Sequence, residues 1–311
     1  MLKYILRRVL QIIPTLIGAS FLSFALLYVF PGDPAELIVT VSSGVEPTPE
    51  MVEKFRVEAG LDKPLIVQYV SWLSNVIGGD LGTSWSSGEP VMDEIVRRFP
   101  ASAQLFFSTF FISVAFAFLL GIIAALYRDK AVDHICRICS LVGISIPSFW
   151  LGLMLIWVFS VHLHLLPAFG YGTLKHAILP ILTWSVSFMA IKARFIRASL
   201  LDALSQDYIL TAKAKGLADR AIVVGHALRN AMIPVVTYLS MSVSHLIIGS
   251  VMVEVVFAWP GLGSYFVESV FKRDFPVVQA LVLLSAVVFT LMNLIVDILY
   301  AVIDPRVRFG D

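Results

Sequence analysis

The segment from Val9 to Phe30 contains no charged side chain. As an α-helix it would be about 33 Å long, which matches the thickness of a bilayer's hydrocarbon core. Comparable apolar segments follow at residues 101–127, 138–161, 177–196, 231–257 and 277–303. A backbone that crosses lipid must satisfy its own hydrogen bonds, so these segments predict an all-α membrane protein with six transmembrane helices.

Composition supports the same class. Of the 311 residues 58% are hydrophobic and 14% are charged, which leaves too little polar surface for a soluble globule. The formal net charge is +1 and the basic residues are dispersed along the chain. Binding to nucleic acid needs a concentrated basic surface, so we expect no nucleic-acid partner and we expect membrane lipid around the spans.

The pattern predicts three parts. Residues 1–30 form an N-terminal tail and first transmembrane helix, which we interpret as an uncleaved anchor because PGDP stands where a signal peptide would have small residues. Residues 31–100 are mixed in composition and rich in acidic side chains, which indicates a small helical region outside the membrane. Helices are predicted in it near 49–59, 64–77 and 91–99, because each stretch opens with proline or a capping residue and keeps an apolar stripe. Residues 101–311 form a five-helix transmembrane core interrupted by a polar loop at 197–230.

The distribution of basic residues predicts the orientation. Most of the 23 Lys and Arg residues fall in the two tails, in the connection around Arg128 and in the central loop with its edge. Positive residues are retained on the cytoplasmic side of a membrane. We therefore expect both termini and the central loop to be cytoplasmic.

The central loop has the pattern of a helix, a glycine turn and a second helix. Ser205 or Asp207 can cap the first helix, and Gly216 supplies the positive φ that commonly ends one. Helical spacing places Tyr208, Ile209 and Ala212 on one face. The second helix is predicted from Asp219 to Asn230. The residues alone allow either a passive elbow between two spans or a docking element for another protein.

Several catalytic motifs are absent from the sequence. No lysine precedes Ser or Thr, so the chain lacks the end of an ATP-binding P-loop, and it has neither H-E-x-x-H nor G-x-S-x-G. Cys136 and Cys139 form C-x-x-C beside His134, but no second Cys/His pair completes a metal site. We predict no catalytic residue and no metal site in this chain.

Polar residues in the apolar segments leave two other classes open. Glu254, Asp297 and His245 could form the relay of an ion-coupled secondary transporter, although pairing and capping explain both carboxylates. An intramembrane hydrolase would need deep serines, for which the sequence offers Ser145, Ser148, Ser185, Ser187, Ser240, Ser242 and Ser244. Small serines more commonly serve close helix packing.

Short motifs along nearly the whole chain carry a family resemblance. The loop DYILTAKAKGLADRAIVVGHALRNAMIP resembles the cytoplasmic loop of permease subunits in binding-protein-dependent ABC importers, in the dipeptide, oligopeptide, glutathione and nickel branch. Supporting motifs are LRR, PGDPA, AGLDKPL at 59–65, GDLGTS at 79–84, ILP at 178–180, ARFIRAS at 193–199, FAWPGLG at 257–263, RDFPVVQA at 273–280 and the ending VIDPRVR.

The resemblance implies a fold, partners and a place in the cell. The fold is that of a type I ABC importer permease in a bacterial inner membrane, with the loop as a coupling helix that sits in a cleft of an ATPase subunit. The implied partners are a second homologous permease, two ATPase subunits that bind ATP and Mg, and an extracytoplasmic solute-binding protein. This chain itself would hold no cofactor and would not be an enzyme. The implied coupling residues are Asp207, Tyr208, Ile209, Ala212, Lys213, Gly216 and Leu228.

The match to the wider superfamily is incomplete. Where that loop has Glu-Ala-Ala, a later Gly and a distant Leu-Pro, this chain has Leu210, Thr211, Ala212, Gly216, Leu228 and Arg229. The glutamate and the proline are missing, so an acidic contact with the ATPase is not carried over.

The substrate is the least determined feature. The segment from Ser145 to Gly172 resembles nickel permeases, and His162, His164 and His176 place imidazoles, which suit nickel, in an outward connection. We therefore expect a nickel ion or metal chelate, touched transiently by these histidines. The alternative is import of di- or oligopeptides, because the quoted motifs serve fold and coupling rather than selectivity.

Overall fold

A computed structural model describes residues 2–29, 32–43 and 47–303; within these ranges the side chains at 2–7, 9, 29, 42–43, 241–249, 297 and 299–303 are not described. The described chain is helical apart from one isolated bridge between Thr83 and Pro90. The helices are α1 Leu2–Val29, α2 Pro34–Ser43, α3 Pro49–Glu58, α4 Leu65–Ile77, α5 Val91–Leu126, α6 Ala131–Ser145, α7 Ser148–Leu155 with a π-helical extension Ile156–His162, α8 Leu174–Leu204, α9 Asp207–Ala214, α10 Asp219–Ile222 with a π-helical extension Val223–Ala227, α11 Leu228–Val256, α12 Leu262–Phe271 and α13 Phe275–Ile303.

The described helices confirm an all-α membrane protein. Five of them are long and apolar enough to cross a bilayer, and the number is six if α6 and α7 with its extension form one span. The sequence predicts a continuous third span at 138–161, and that detail is wrong. The chain bends by 103° between Ser145 and Ser148. Ile146 is extended before Pro147, because a proline disfavours the helical conformation in the preceding residue.

Helix α5 also differs from expectation. The sequence predicts a short helix at 91–99 and a separate span from 101, but α5 runs unbroken through Pro100. The predicted boundary between residues 31–100 and 101–311 therefore falls inside a helix, and the three-part division remains a prediction. The predicted helices near 49–59 and 64–77 are confirmed as α3 and α4.

The chain forms two compact units. One of them comprises Leu2–Ser102 with Pro260–Leu291. In this unit α1 and α13 exchange hydrogen bonds. Ser23 Oγ donates to the Gln279 carbonyl at 2.6 Å, and Gln279 Nε2 donates to the Phe24 carbonyl at 3.1 Å. The buried Asp274 carboxylate accepts the backbone N–H groups of Trp85 and Ser86, which ties the turn-rich GDLGTSWSSGEP stretch to the start of α13.

The other unit comprises Ala103–Trp259 and the described residues from Met292 onward. Helix α8 lies at its centre and packs against α6, α7 and α11. Small residues permit these close approaches. Gly143 of α6 faces Val186 and Ala190 of α8, and Gly121 of α5 faces Ala193 and Ile196. Such glycine and alanine contacts are the usual way in which helices pack within a membrane.

Substitution of Gly121 tests this packing. A Cβ at Gly121 would lie 2.8 Å from both the Ala193 carbonyl oxygen and the Ile196 Cβ. We expect Gly121→Ala to lower the stability of the permease in detergent by about 1–3 kcal/mol, the usual cost of overpacking. Gly225→Ala is the control, because nothing lies within 4 Å of its added Cβ. A thermal melt in which both variants behave alike would contradict the close α5–α8 contact.

Candidate functional site

Helix α9 begins directly after α8, with a different cap from the one predicted. Gln206 occupies the cap position with extended backbone, and Asp207 is the first helical residue. The Gln206 side chain makes no capping hydrogen bond, and its Nε2 donates instead to the Asp202 carbonyl at 3.4 Å. Ser205 Oγ instead donates back to the Asp202 carbonyl at 2.8 Å. The predicted cap by Ser205 or Asp207 is therefore wrong. Asp207 still places a carboxylate at the positive end of the helix dipole, which is favourable.

The end of α9 follows the prediction. Gly216 has φ +75°, so the expected positive φ is confirmed. The Gly216 N–H donates to the Lys213 carbonyl at 2.9 Å, and the Leu217 N–H donates to the Ala212 carbonyl at 3.3 Å. These two bonds form a Schellman motif, which satisfies carbonyls that the helix end would leave unpaired. The turn therefore fixes the direction in which the chain leaves α9.

The predicted face of α9 exists, but it is turned toward the chain itself. Ile209 is 2% exposed and Ala212 is 6% exposed. Tyr208 is half-buried, and its hydroxyl donates to the Ala203 carbonyl at 3.0 Å. The shared core also contains Ala125, Leu200, Ala203, Ile222, Ala227 and Ala231. These side chains hold α9 against α5, α8 and α11, so this face is covered by the chain itself.

The opposite side of the loop is open to a partner. Asp207, Lys213 and Gly216 are exposed, and Leu228 is half-buried at the start of α11. Leu210 is 66% exposed and Leu217 is 41% exposed. The sequence prediction did not include these two leucines among the coupling residues. The signal was available, since Leu210 is an apolar residue on the polar face of the amphipathic pattern. The coupling role of the whole set stays a prediction.

The second helix of the loop is continuous with the next span. It begins at Asp219 as predicted, with Ala218 as its cap residue, and passes through the π-helical extension into α11. Ile222 and Ala227 of this stretch are buried in the same core as Ile209. A movement of α9 is therefore connected through packed side chains to α11.

A bidentate ion pair supports the base of the loop. Arg197 of α8 donates from Nε to Asp133 Oδ1 at 2.7 Å and from Nη2 to Asp133 Oδ2 at 2.6 Å. The Asp133 side chain is fully buried, and its Oδ2 also accepts the Asp129 N–H at 3.1 Å. One carboxylate thus fixes α6, the preceding turn and the end of α8 together.

A buried lysine was missed by the sequence analysis. Lys192 of α8 is 1% exposed, and its Nζ donates to Ser113 Oγ of α5 at 3.0 Å. The ammonium lies 5.3 Å from the Phe110 ring centroid and 5.2 Å from that of Phe188. Aromatic faces and a hydroxyl are favourable surroundings for a cation inside a bundle. Ser113 lies 79 residues away in the sequence, so no local pattern indicates this contact.

The histidines at 162, 164 and 176, which the sequence analysis places in an outward connection, make three separate contacts. His162 stacks on Trp157, His164 Nδ1 lies 3.2 Å from the Ser160 carbonyl oxygen, and His176 Nδ1 is hydrogen-bonded to Thr173 Oγ1 at 2.7 Å. Among the described residues no three His, Cys, Asp or Glu side chains form a group that could hold a metal ion. The histidines' predicted contact with substrate stays a prediction.

The next residues are those that an ion-coupled secondary transporter or an intramembrane hydrolase would use. Glu254 is fully buried and has an interaction partner, and its carbonyl accepts the Trp259 N–H at 2.8 Å. The side chains of Asp297, His245, Ser242 and Ser244 lie outside the described residues. Ser145, Ser187 and Ser240 donate to the carbonyls of Leu141, Gly143 and Val236. These backbone bonds are those of serines that serve helix packing.

The apolar spanning helices, with a packed helix–glycine–helix loop between two of them, place the chain among the multi-pass membrane proteins. The chain belongs to the family described as "binding-protein-dependent transport system inner membrane component", which matches residues 117–309, and the N-terminal component of such transport systems matches residues 1–106. It is thus a multi-pass inner-membrane permease of ABC importers, in the dipeptide, oligopeptide, glutathione and nickel branch, and a non-enzymatic transport component.

Similar proteins extend over the whole chain. The glutathione transport system permease protein GsiC of Escherichia coli O6:H1 is 46% identical over 99% of this chain and 100% of its own length. GsiC of E. coli K12 and of Shigella dysenteriae serotype 1 are each 45% identical over the same shares. A solved structure of an amino acid ABC transporter with histidines has TM-score 0.56 and 14% identity, covering 67% of this chain and 93% of that one. That likeness confirms the type I importer permease fold.

Substitution of Gly216 tests whether the turn directs α9. No atom lies within 4 Å of an added Cβ, so backbone strain alone decides the outcome. A β-branched residue at positive φ costs about 1–3 kcal/mol. We expect Gly216→Val to reach the membrane but to weaken ATPase association about tenfold, which ~1.4 kcal/mol produces. Gly216→Asn is the control, because asparagine tolerates this conformation. Normal transport by a well-expressed Gly216→Val complex would identify the loop as a passive elbow.

Proposed function

We propose that this chain is a pathway-forming permease subunit of an ATP-driven importer of glutathione or similarly small peptides. The observation that carries the proposal is whole-length identity of 45–46% to permeases named for glutathione transport. Full coverage matters because the outward connections, which meet an incoming substrate, are matched together with the coupling loop.

The expectation of nickel gains no support from these relatives, whose names give glutathione. Each outward histidine has its own separate contact in the described structure, as given above. A nickel site would bring several imidazoles or carboxylates to one point. We therefore place a small peptide before nickel and keep nickel as the competing substrate in the experiment below.

The coupling mechanism follows from the two faces of α9. The face formed by Ile209 and Ala212 anchors the helix in the chain's own core, while Leu210, Lys213 and Leu217 face outward. We propose that an ATPase subunit receives the outward face. Because α9 and α11 share one core, a push on the outward face moves both helices as a rigid body. The Arg197–Asp133 pair transmits that movement to α6.

The proposed assembly needs further chains. A homologous second permease would complete the pathway, two ATPase subunits would bind ATP and Mg, and an extracytoplasmic binding protein would deliver substrate. The role of this chain's residues is to enclose substrate and to convert ATPase movement into a change of access.

Uptake by the complete transporter in liposomes tests the proposal. We expect binding-protein-dependent uptake of radiolabelled glutathione that requires ATP and magnesium, is inhibited by unlabelled tripeptides and is unaffected by an uncoupler. Radioactive nickel should not accumulate. Uptake driven by an ion gradient without ATP would favour a secondary transporter. Nickel uptake that glutathione does not inhibit, and that falls when His162, His164 and His176 are all replaced by alanine, would favour the metal alternative.

Cysteine labelling tests the orientation, which rests on the distribution of basic residues. After Cys136 and Cys139 are replaced by serine, we expect a cysteine at Ala218 to react with an impermeant reagent only from the cytoplasmic face. A cysteine at Ser87 should react only from outside. Both positions are exposed, so access to the reagent depends on the side of the membrane. The reverse pattern would invert the topology and exclude an ATPase contact at α9.

A further inference from the structure

A small basic pocket lies between α6 and α8, beside the base of the loop. Its volume is about 250 Å³, and its lining consists of His134, Arg137, Ile138 and Leu141 from α6 with Arg194 from α8. Neither Arg137 nor Arg194 forms an ion pair with a described carboxylate, whereas the neighbouring Arg197 is paired with Asp133. Arg137 and Arg197 both attract the single Asp133 carboxylate, and Arg194 has no ion pair with a described carboxylate, so the pocket keeps a net positive charge.

An apolar groove lies next to the pocket. Leu141 lines both the basic pocket and a second cavity of about 490 Å³ at the bend between α6 and α7, where Pro147, Phe149 and Trp150 form part of the lining. The eight residue steps from Arg137 to Ser145 span about 12 Å of helix, a length that part of an acyl chain can follow. Exposed apolar side chains of α6 line most of this path, namely Ile138, Leu141 and Val142, and Ser145 is a polar residue at its end.

We propose that this surface binds an anionic phospholipid, with the headgroup phosphate between Arg137 and Arg194 and an acyl chain along the groove to Trp150. Basic pockets between transmembrane helices are suited to anionic headgroups, and guanidinium groups bind phosphate oxygens in a bidentate manner. A soluble phosphate would use the cations but not the apolar groove. A partner protein on the groove would need a carboxylate placed opposite two arginines.

The position of the site gives it a structural consequence. Arg194 lies three residues before Arg197 on α8, and Arg137 lies four residues after Asp133 on α6, so each is one helical turn from the ion pair. A phosphate bridging Arg137 and Arg194 would hold the same two helices together at the next turn. Bound lipid thus stabilises the base from which α9 projects.

Lipid retention by the purified complete transporter tests the proposal without reference to transport. The probes are nanodiscs of phosphatidylcholine with increasing phosphatidylglycerol, and bound lipid is counted by native mass spectrometry. We expect preferential retention of phosphatidylglycerol and a higher melting temperature as its fraction rises. The double variant Arg137→Gln/Arg194→Gln should retain it about thirtyfold less, as expected from the loss of two interfacial cations. Because the experiment measures lipid binding and not transport, its result can contradict the lipid proposal without contradicting the proposed substrate.

Matched variants separate the alternatives. Arg220→Gln/Arg229→Gln makes the same change in net charge at exposed arginines of the loop and should retain lipid like the unaltered protein. Arg137→Lys/Arg194→Lys keeps the charge and should retain an intermediate amount of phosphatidylglycerol.

Equal retention of phosphatidylcholine and phosphatidylglycerol, or equal loss in both glutamine variants, would overturn the proposal. Binding of inorganic phosphate with displacement of the lipid would reduce the site to a soluble-anion site. Protection of the groove by a partner chain, with no lipid retained, would assign it to a protein interface.

Discussion

Replacing Asp133 by alanine is expected to lower the free energy of unfolding of the permease by on the order of 3 kcal/mol. The carboxylate is fully buried and accepts two charge-assisted hydrogen bonds from Arg197 and one from the Asp129 backbone. Its removal leaves a largely buried guanidinium without its counter-charge, which costs more than the pair contributes. Thermal denaturation in detergent measures the loss, and transport should fall with it because the loop loses its base.

The double variant Asp133→Ala/Arg197→Ala provides the control. When both charges are absent no buried ion is left unpaired, so we expect the double variant to be at least as stable as Asp133→Ala alone. A double-mutant cycle then gives the coupling between the two residues directly. If the two single losses simply add, the bidentate contact contributes nothing and α6 is held to α8 by packing alone.

Replacing Leu210 by glutamate is expected to reduce transport more than tenfold while leaving the melting temperature of the isolated permease unchanged. Leu210 is 66% exposed, so the new charge remains hydrated in the free chain. At a docked ATPase surface the carboxylate must lose that water, and desolvation of a charge without a partner costs several kcal/mol. Co-purification of the ATPase subunits with the permease measures the first step of the loss.

Ile209→Ala tests the inward face of α9, where we expect a loss of folding stability that Leu210→Glu should not cause. Ile209 is 2% exposed in the core shared by α9 and α11, so truncation should destabilise the permease by about 2–5 kcal/mol. Its effect on ATPase association should follow from this loss of folding. Normal ATPase association and transport by Leu210→Glu would show that the partner does not use the outward face of α9.

Much of the fold follows from local pattern. A bilayer requires long uncharged helices, and these were recognised from composition along the chain. Gly216 ends α9 with positive φ because glycine adopts that conformation without strain, a property of one residue and its neighbours. The helical spacing of Tyr208, Ile209 and Ala212 likewise indicated one face before any contact was known. The family resemblance rests on such local motifs and is confirmed by the matched family.

Contacts between distant segments decided the rest. Spacing defined the two faces of α9 but could not indicate which one its own chain covers, and the tertiary structure turns Ile209 inward and leaves Leu210 exposed. Arg197 lies far along the chain from Asp133, as Lys192 does from Ser113, so no local pattern pairs them. Pro100 and Pro147 each follow a large apolar residue. Helix α5 nevertheless continues through Pro100, whereas the chain bends by 103° around Pro147. The sequence determined which segments are helical and apolar, whereas packing between segments determined which polar groups are buried, because burial depends on neighbours that periodicity does not encode.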